Sequence, residues 1–354
     1  MKPALWMILV LPVLWAGCAG TGNRPAGTAP SAARIRIGVL PFANNCRSDV
    51  AANLLRPLLL EGLTASGLTV IAGDSLRPVL RRNRIRSRGM IGDADARQLA
   101  AELDLDFLLT GSWDVYGAPP APELGLSLRV LDPATGTLVR SISLGRTGEG
   151  RVGWLGMGRV DSLATLGTDL VDAALTGLLP LPEPGLPSAA GPRIAVVALD
   201  NLSESDNAGA VCSGILVTSL MKAGYDVLEP GFIRTRQLVR ETAYRGAVDR
   251  ENLLDLGRSY SLVAVATGTV DVLNQAVGDQ ITSVPRAALG LRVLDARTGR
   301  VFLARELAKA GNDHEGWFQQ SRVHALTDLV SVMCDEFVKD LQNNLPLQEQ
   351  ERSP

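Results

Sequence analysis

The chain has 354 residues, of which 46% are hydrophobic and 20% are charged. This length favours two domains, and the composition is that of a folded protein rather than a disordered one. Lys and Arg total 35 against 37 Asp and Glu, so the net charge is −2. Proteins that bind nucleic acid carry a basic excess, so this balance argues against nucleic acid as a partner.

The amino terminus has the pattern of a secretory signal. An apolar run over residues 4–16 is shorter than the ~20 residues that a membrane-spanning helix needs. The run ends in small residues directly before Cys18, as in a bacterial lipoprotein signal, although Trp15 stands where leucine is usual. We expect residues 1–17 to be a signal peptide and Cys18 to be lipidated. Cleavage by an ordinary signal peptidase, or a short membrane stem, is the alternative.

Residues 18–33 would then comprise the lipidated cysteine and a flexible tether, because the segment is small, polar and rich in proline and glycine. Several acyl chains are enough to hold a protein on a membrane durably. Ala19 follows Cys18 where an aspartate would favour retention in the inner membrane. We therefore expect a lipid-anchored protein of the outer membrane that faces the periplasm.

The rest of the chain contains an internal duplication. Residues 37–39 align with residues 194–196 at an offset of 157. Six inserted residues change the offset to 163, at which LRVLDPATG (128–136) aligns with LRVLDARTG (291–299), with seven of nine residues identical. A single six-residue insertion over such a length indicates a tandem duplication.

The duplication predicts where each segment begins and ends. There are two repeats, a linker between them and a carboxyl-terminal tail. The first repeat is expected over 34–180, the second over 192–345, a proline-rich linker over 181–191 and a disordered tail over 346–354. Each repeat carries a full set of strands and covering helices, so we expect each to fold separately.

Both repeats show the same order of elements. A buried strand opens each, and Ser48-Asp49 or Ser205-Asp206 then offers an N-cap for a helix. A second strand, two helical stretches, a three-stranded meander and an amphipathic helix follow. In the last turn of the first meander, Asp132 can cap the turn and Gly136 can adopt a positive φ. The predicted fold is α/β, with two tandem three-layer mixed-sheet domains in the order β-α-β-α-α-β-β-β-α.

Several motifs in these elements carry a family resemblance. VLPF with Asn44-Asn45, then ELDLDFLLTGS, and finally LxVLDxxTG in both repeats are the segments concerned. They resemble the amino-terminal domain of TolB and the CsgG-like curli-export lipoproteins, over nearly all of 34–345. The resemblance implies an envelope lipoprotein concerned with secretion, with assembly of surface structures or with the peptidoglycan machinery.

The leading functional hypothesis is a non-enzymatic adaptor or assembly factor in the cell envelope, whose two repeats offer two docking surfaces. The alternative that the resemblance implies is a subunit of a CsgG-like outer-membrane secretion channel, although the connections here are too short for its inserted hairpins. Its partners would be the membrane, through the lipid, and an unidentified envelope protein. A homo-oligomer is also open.

Two enzyme-like or metal-like motifs have simpler explanations. Gly73-Asp74-Ser75-Leu76 spells the nucleophile motif of GDSL hydrolases, but no D-x-x-H motif supplies a base, so a hydrolase is a remote alternative. His314, His324 and Cys334 lie ten residues apart without the closer pair that zinc sites show. We therefore expect no catalytic residue, no metal and no cofactor.

Two further groups are candidate functional residues. Arginines crowd one predicted helix and the segment after it, and they could form a surface for an anionic partner or simply a solvated face. These residues are Arg77, Arg81, Arg82, Arg84, Arg86 and Arg88. Cys212 and Cys334 fall on the first and last helices of the second repeat. They could form a disulfide in an oxidising compartment if those helices share a face of the sheet, or remain two buried thiols.

Overall fold

A computed structural model of the chain describes most of both repeats. The described residues are 34–86, 88–119, 122–149, 160–185, 191–239, 249–275, 284–313 and 322–344. The predicted signal peptide, tether and tail, and Cys18 with them, lie outside these residues. Residues Arg34–Pro354 group into one compact unit.

The described part of the first repeat contains six strands and four helices. These are β1 Arg36–Val39, β2 Ala43–Asn44, α1 Asp49–Ala65, β3 Thr69–Ile71, α2 Arg77–Arg82, α3 Asp93–Leu103, β4 Phe107–Gly117, β5 Glu123–Leu131, β6 Leu138–Thr147 and α4 Leu163–Leu178.

The second repeat has the same succession of elements. These are β7 Arg193–Val196, β8 Asp200–Asn201, α5 Ala208–Lys222, β9 Asp226–Leu228, α6 Pro230–Val239, α7 Arg250–Tyr260, β10 Ala264–Asn274, β11 Arg286–Asp295, β12 Val301–Ala310 and α8 Leu326–Asn344. Each repeat adds one two-residue strand, β2 or β8, to the predicted order.

Each repeat forms one mixed sheet, and the two sheets have the same topology. The first sheet has the order β3-β1-β4-β5-β6, and the second has the order β9-β7-β10-β11-β12. The strands β3, β1 and β4 are parallel, whereas β4, β5 and β6 form an antiparallel meander. The chain is therefore an α/β protein with two mixed sheets and two similar halves.

The turn between the last two strands forms as the sequence predicts. Asp132 Oδ1 accepts a hydrogen bond from Ala134 N at 2.8 Å, and Gly136 has a φ of 72°. The equivalent Asp295 Oδ1 accepts from Arg297 N at 2.7 Å, and Gly299 has a φ of 76°. A left-handed backbone at this position favours glycine, which explains why both copies have one.

The two predicted N-caps have different outcomes. Ser48 caps α1, because its side chain accepts from Val50 N at 3.3 Å. In the second repeat the prediction is wrong, because α5 begins at Ala208 after Asn207. Ser205 Oγ instead donates to Leu273 O, and Asp206 pairs with Arg47 of the first repeat. Both side chains contribute to a surface that only the folded pair of repeats creates.

The first sheet is covered on both faces. Helices α1 and α4 pack on one face, in a core that contains Phe107, Leu109 and Leu170. On the opposite face, residues of α2 and α3 belong to a different cluster, together with Leu40 and Leu108. That second cluster also contains Leu131 and Leu138 of the meander and most of the core of the second repeat.

Helices α5 and α8 of the second repeat lie between the two sheets. They pack against each other, on the second sheet through β10 and β11, and on the meander of the first sheet through β6. Every residue from 211 to 220 in α5 is buried. The shared cluster argues against separate folding, because without the second repeat the meander face of the first sheet would be uncovered.

No described helix is both long enough and apolar enough to cross a membrane.

We expect the repeats, expressed as separate chains 34–182 and 190–348, to copurify as a 1:1 complex. Alone, the first piece should bind a hydrophobic dye and aggregate, because it exposes Leu131 and Leu138. Size-exclusion chromatography with light scattering measures the complex. Two pieces that remain separate monomers, each with a cooperative melt, would show that the interface contributes little.

Candidate functional site

Hydroxyl groups line the interface between the repeats. Ser127 Oγ lies 2.9 Å from Ser143 Oγ, which lies 2.9 Å from Thr218 Oγ1 of α5. Ser141 Oγ is 2.7 Å from the same Thr218 Oγ1. A Cβ on Gly214 would lie 3.5 Å from Ser127 Cβ, so this residue of α5 packs directly over the sheet. The helix and the sheet are therefore joined by hydrogen bonds as well as by packing.

A buried ion pair crosses the same interface. Arg129 Nε donates to Glu229 Oε2 at 3.1 Å, and Arg129 Nη2 donates to Gly89 O at 2.6 Å. The side chains of Arg129 and Glu229 are 6% and 0% exposed. Gly231 N also donates to Glu229 Oε1 at 3.4 Å. Both charges are buried, so the loss of either residue would leave the other charge buried without its partner.

Asp114 is a buried carboxyl group beside the hydroxyl groups. Its two oxygens accept from Asn45 Nδ2 at 2.8 Å and from Ser127 Oγ at 2.6 Å. Burial raises the pKa of Asp114, while its hydrogen bonds and the charge of Arg129 oppose that rise. Ser127 thus links this carboxyl to the contacts that Ser143 makes with α5.

Glu123 is a second buried carboxyl group, at the start of β5. Its oxygens accept from Leu326 N at 2.7 Å and from Gln275 Nε2 at 3.1 Å, both in the second repeat. Burial raises the pKa of Glu123 from 4.5 to about 7, with these hydrogen bonds opposing the rise. Glu123 therefore joins the amino end of α8 to the first sheet, and its protonation changes near neutral pH.

A cleft of about 480 Å³ opens beside these groups, between the loops that follow β2 and β8. Its lining includes Asn45, Cys46, Asp114 and Gln275. Arg47 Nη1 lies 2.7 Å from Asp206 Oδ2, which also lines the cleft. Burial raises the pKa of the Cys46 thiol, so the thiol is a weak nucleophile. The polar lining groups Asn45, Asp114 and Gln275 are already hydrogen-bonded to protein, and we assign no ligand to the cleft.

The predicted arginine surface is only partly helical. Arg77, Arg81 and Arg82 lie on α2, whereas Arg84, Arg86 and Arg88 follow it, and all six are exposed. Arg82 pairs with Glu102, and Arg77 Nη1 lies 3.4 Å from Asp74 Oδ1. The group forms an exposed basic segment, apart from the buried groups of the interface.

Cys212 and Cys334 lie on the helices that share the face, as the disulfide hypothesis requires. Both are fully buried free thiols in the structure, and α5 packs against α8. Burial raises the pKa of each thiol well above its ordinary value. Their pairing stays a prediction.

The enzyme-like and metal-like residues that the structure describes do not form a common site. Ser75 is exposed in the turn before α2, where its backbone N–H donates to Ala72 O at 3.2 Å. His324 Nδ1 lies 3.6 Å from Glu149 Oε2, and His314 lies outside the described residues. Among the residues that the structure describes, no three His, Cys, Asp or Glu side chains form a metal-binding group.

The interface residues were not predicted from the sequence, although part of the signal was present. Ser127 and Arg129 alternate with leucines in β5, so one face of an otherwise apolar strand is polar. A further signal is α5, which carries no charged residue before Lys222. A helix without a charged face is typical of burial on all sides.

Several solved structures are similar to parts of this chain. No family model and no curated protein match the sequence. The structure is similar to the PelC dodecamer from Paraburkholderia phytofirmans, at 21% identity over 44% of this chain and 89% of that chain, with a TM-score of 0.31. It is also similar to lipoprotein GNA1162 from Neisseria meningitidis, at 19% identity over 43% and 99%, with a TM-score of 0.30. The LpoB carboxyl-terminal domain from Escherichia coli matches at 12% identity over 35% and 85%, with a TM-score of 0.25. The finer resemblance to TolB and the curli exporters stays a prediction.

Arg129→Met or Glu229→Leu alone should lower the free energy of unfolding by about 3–5 kcal/mol, because each leaves an unpaired buried charge. The double variant should lose less than the sum of the two single losses. Urea denaturation measures all three. Arg97→Met is the matched control, since Arg97 pairs with Asp93 at the surface and should change little. Additive losses would mean that the pair is not coupled.

Glu123 should make stability depend on pH. Its folded pKa of about 7 exceeds the ordinary 4.5, so the folded state holds a proton that the unfolded chain releases. The free energy of unfolding should therefore fall as pH rises from 4.5 to 7, by up to about 3 kcal/mol from this group. Urea denaturation across pH 4.5–8 should show a shallower fall for Glu123→Gln. Exposed Glu251→Gln should retain the wild-type profile, and identical profiles for all three would contradict the assignment.

Proposed function

We propose that the protein is a lipid-anchored adaptor or assembly factor of the bacterial cell envelope, which binds partners and performs no catalysis. The observation that carries this proposal is the use of the buried ionisable groups. Such groups mark active sites in many enzymes. Here Glu123 and Glu229 bind groups across the interface directly, and Asp114 is linked to it through Ser127. Their role is to join two repeats into one compact unit.

The exposed basic segment supplies the proposed partner surface. Guanidinium groups bind carboxylates and phosphates in a bidentate manner, so an anionic envelope component suits this segment. Arg81, Arg84, Arg86 and Arg88 are all exposed along residues 81–88. We favour an acidic protein over lipid phosphate or peptidoglycan carboxylate, because an adaptor needs a protein to recruit.

The anchor completes the proposal. Lipid on Cys18 would keep both repeats near a membrane, and Ala19 favours the outer membrane with the protein facing the periplasm. The description of GNA1162 as a lipoprotein agrees with this proposal. A role in secretion, surface-structure assembly or peptidoglycan synthesis would each be a finer form of the same adaptor function.

Photo-crosslinking of the full chain in native membranes, followed by mass spectrometry, tests the proposal. A probe next to the basic segment should capture a discrete envelope protein. Arg81→Glu/Arg84→Glu/Arg88→Glu should reduce capture at least about tenfold, because charge reversal at an interface costs several kcal/mol. Cys18→Ser should leave the protein folded but release it from membranes.

Two controls separate the alternatives. Ser75→Ala should leave capture unchanged, and an ester panel should show no hydrolysis that depends on Ser75. Hydrolysis lost in that variant would contradict the absence of catalysis. Capture that survives the arginine reversals would place the partner on another surface, and membrane recovery unchanged by Cys18→Ser would contradict the lipid anchor.

A further inference from the structure

The contact between the two repeats is head to tail. The first repeat contributes the meander face of its sheet, and the second contributes the outer faces of α5 and α8. Because the repeats are copies, each possesses both surfaces. The chain uses one surface of each repeat, so a second meander face (β10–β12) and a second helix pair (α1 and α4) remain.

The unused meander face is exposed and combines small residues with charged ones. Pairing places Thr269, Gly290 and Glu306 in one row, Ala288 and Ala308 in the row on one side of it, and Arg292 and Ala304 in the row on the other side. Val301 is 56% exposed, whereas its equivalent Leu138 is 1% exposed. The difference arises because the second repeat covers Leu138, whereas none of the elements that the structure describes covers Val301.

Side chains are larger on one unused surface where they are smaller on the other. In the contact between the two repeats of the chain, Thr327 of α8 lies against Gly125 and Gly145, and a Cβ on Gly145 would be 3.0 Å from Thr327 Cβ. The equivalents of the two glycines are Ala288 and Ala308, and the equivalent of Thr327 is Ala164. The sheet has gained two methyl groups where the helix has lost two side-chain atoms.

The same compensation occurs at the other helix. Gly214 of α5 packs against Ser127 in the existing contact. The equivalent helix residue is the exposed Pro57, which is larger, and the equivalent sheet residue is Gly290, which is smaller. Two independent positions thus retain a combined volume that suits the same docking, as close packing requires.

An exposed strand edge extends the unused surface. In the existing contact, Thr137 forms an antiparallel bridge with Leu228 of β9, and Glu229 N donates to Gly136 O at 2.9 Å. The equivalent of β9 is β3, which ends the first sheet. An edge strand offers backbone groups to another chain.

We propose that a second copy of this chain docks on the β10–β12 face through its own α1, α4 and β3. The contact repeats the internal one, so it is heterologous and propagates beyond a dimer, as a ring if the rotation closes. It is weaker than the internal contact at two positions. Ala72 stands where Glu229 pairs with Arg129, so Arg292, the equivalent of Arg129, meets Ala72 in place of a carboxylate. Glu61 replaces Thr218 and faces Glu306 in place of Ser143, so two carboxylates oppose each other.

Disulfide trapping in the full chain in its membrane tests this contact. The pair Ala164→Cys/Ala308→Cys should give a ladder of covalent species beyond the dimer, because its internal equivalents are within disulfide reach. Each single variant should remain a monomer. The wild-type chain is the control for crosslinks formed by the native Cys46, Cys212 and Cys334. The internal pair Ser141→Cys/Thr218→Cys should close within one chain and shows that trapping works.

The outcomes are distinguishable. A dimer from Ala308→Cys alone would show that two β10–β12 faces meet, which overturns the head-to-tail contact. Absence of a ladder while the internal pair closes would also overturn it. Neither result bears on the proposed adaptor function, whose test uses the basic segment.

Sedimentation of residues 34–354, the compact unit, gives the affinity. Ala304→Arg on the exposed face should abolish association, whereas Ala101→Arg on α3 should not. Glu306→Ser, which restores the residue type of the first repeat, should tighten association about tenfold because it removes the opposed carboxylates. Unchanged affinity in Ala304→Arg would place any self-association elsewhere.

Discussion

The pair of helices α5 and α8 is the layer on which the rest of the structure depends, because both sheets pack against it. On one side it packs on the apolar residues of β10 and β11, and on the other it meets the hydroxyl groups of β5 and β6. One helix layer therefore serves two sheets. This sharing explains why the shorter of the two helices is buried along its length, whereas α1 keeps Asn53, Pro57 and Glu61 exposed.

The buried polar groups of the interface determine how the two repeats dock, and they add little to the free energy of unfolding. Burying an ion pair costs desolvation energy that roughly offsets its Coulomb attraction. A shifted docking, however, would leave Glu229 or Arg129 buried without its partner, and Thr218 without its two serine hydroxyls. Such misplaced arrangements are penalised strongly. The two repeats are thus held in one register, which an apolar contact of the same size would define less sharply.

Much of the fold could be predicted from the sequence because it depends on local patterns. The duplication, the order of strands and helices, and the Asp132 and Gly136 turn each follow from periodicity or from turn chemistry. The failed N-cap has a physical cause. Ser205 and Asp206 are adequate capping residues, but contacts with Leu273 and Arg47 that form only on folding take precedence. The separate folding of each repeat stays a prediction, and sequence order alone does not show that one helix pair covers two sheets.

The divergence of the two copies reflects their positions in the fused chain. Covalent linkage raises the effective concentration of α5 and α8 at the first sheet, so this contact forms without a high intrinsic affinity. No such covalent link brings a partner to the outer face of β10–β12 or to the outer faces of α1 and α4. In stacked repeats, a terminal unit that must stay solvent-exposed carries a polar outer face. The outer face of β10–β12 carries the exposed Ala304, Ala308 and Val301 beside the charged Arg292 and Glu306. The small apolar residues among them leave room for a protein surface to pack closely, and the charged ones would select which surface can do so.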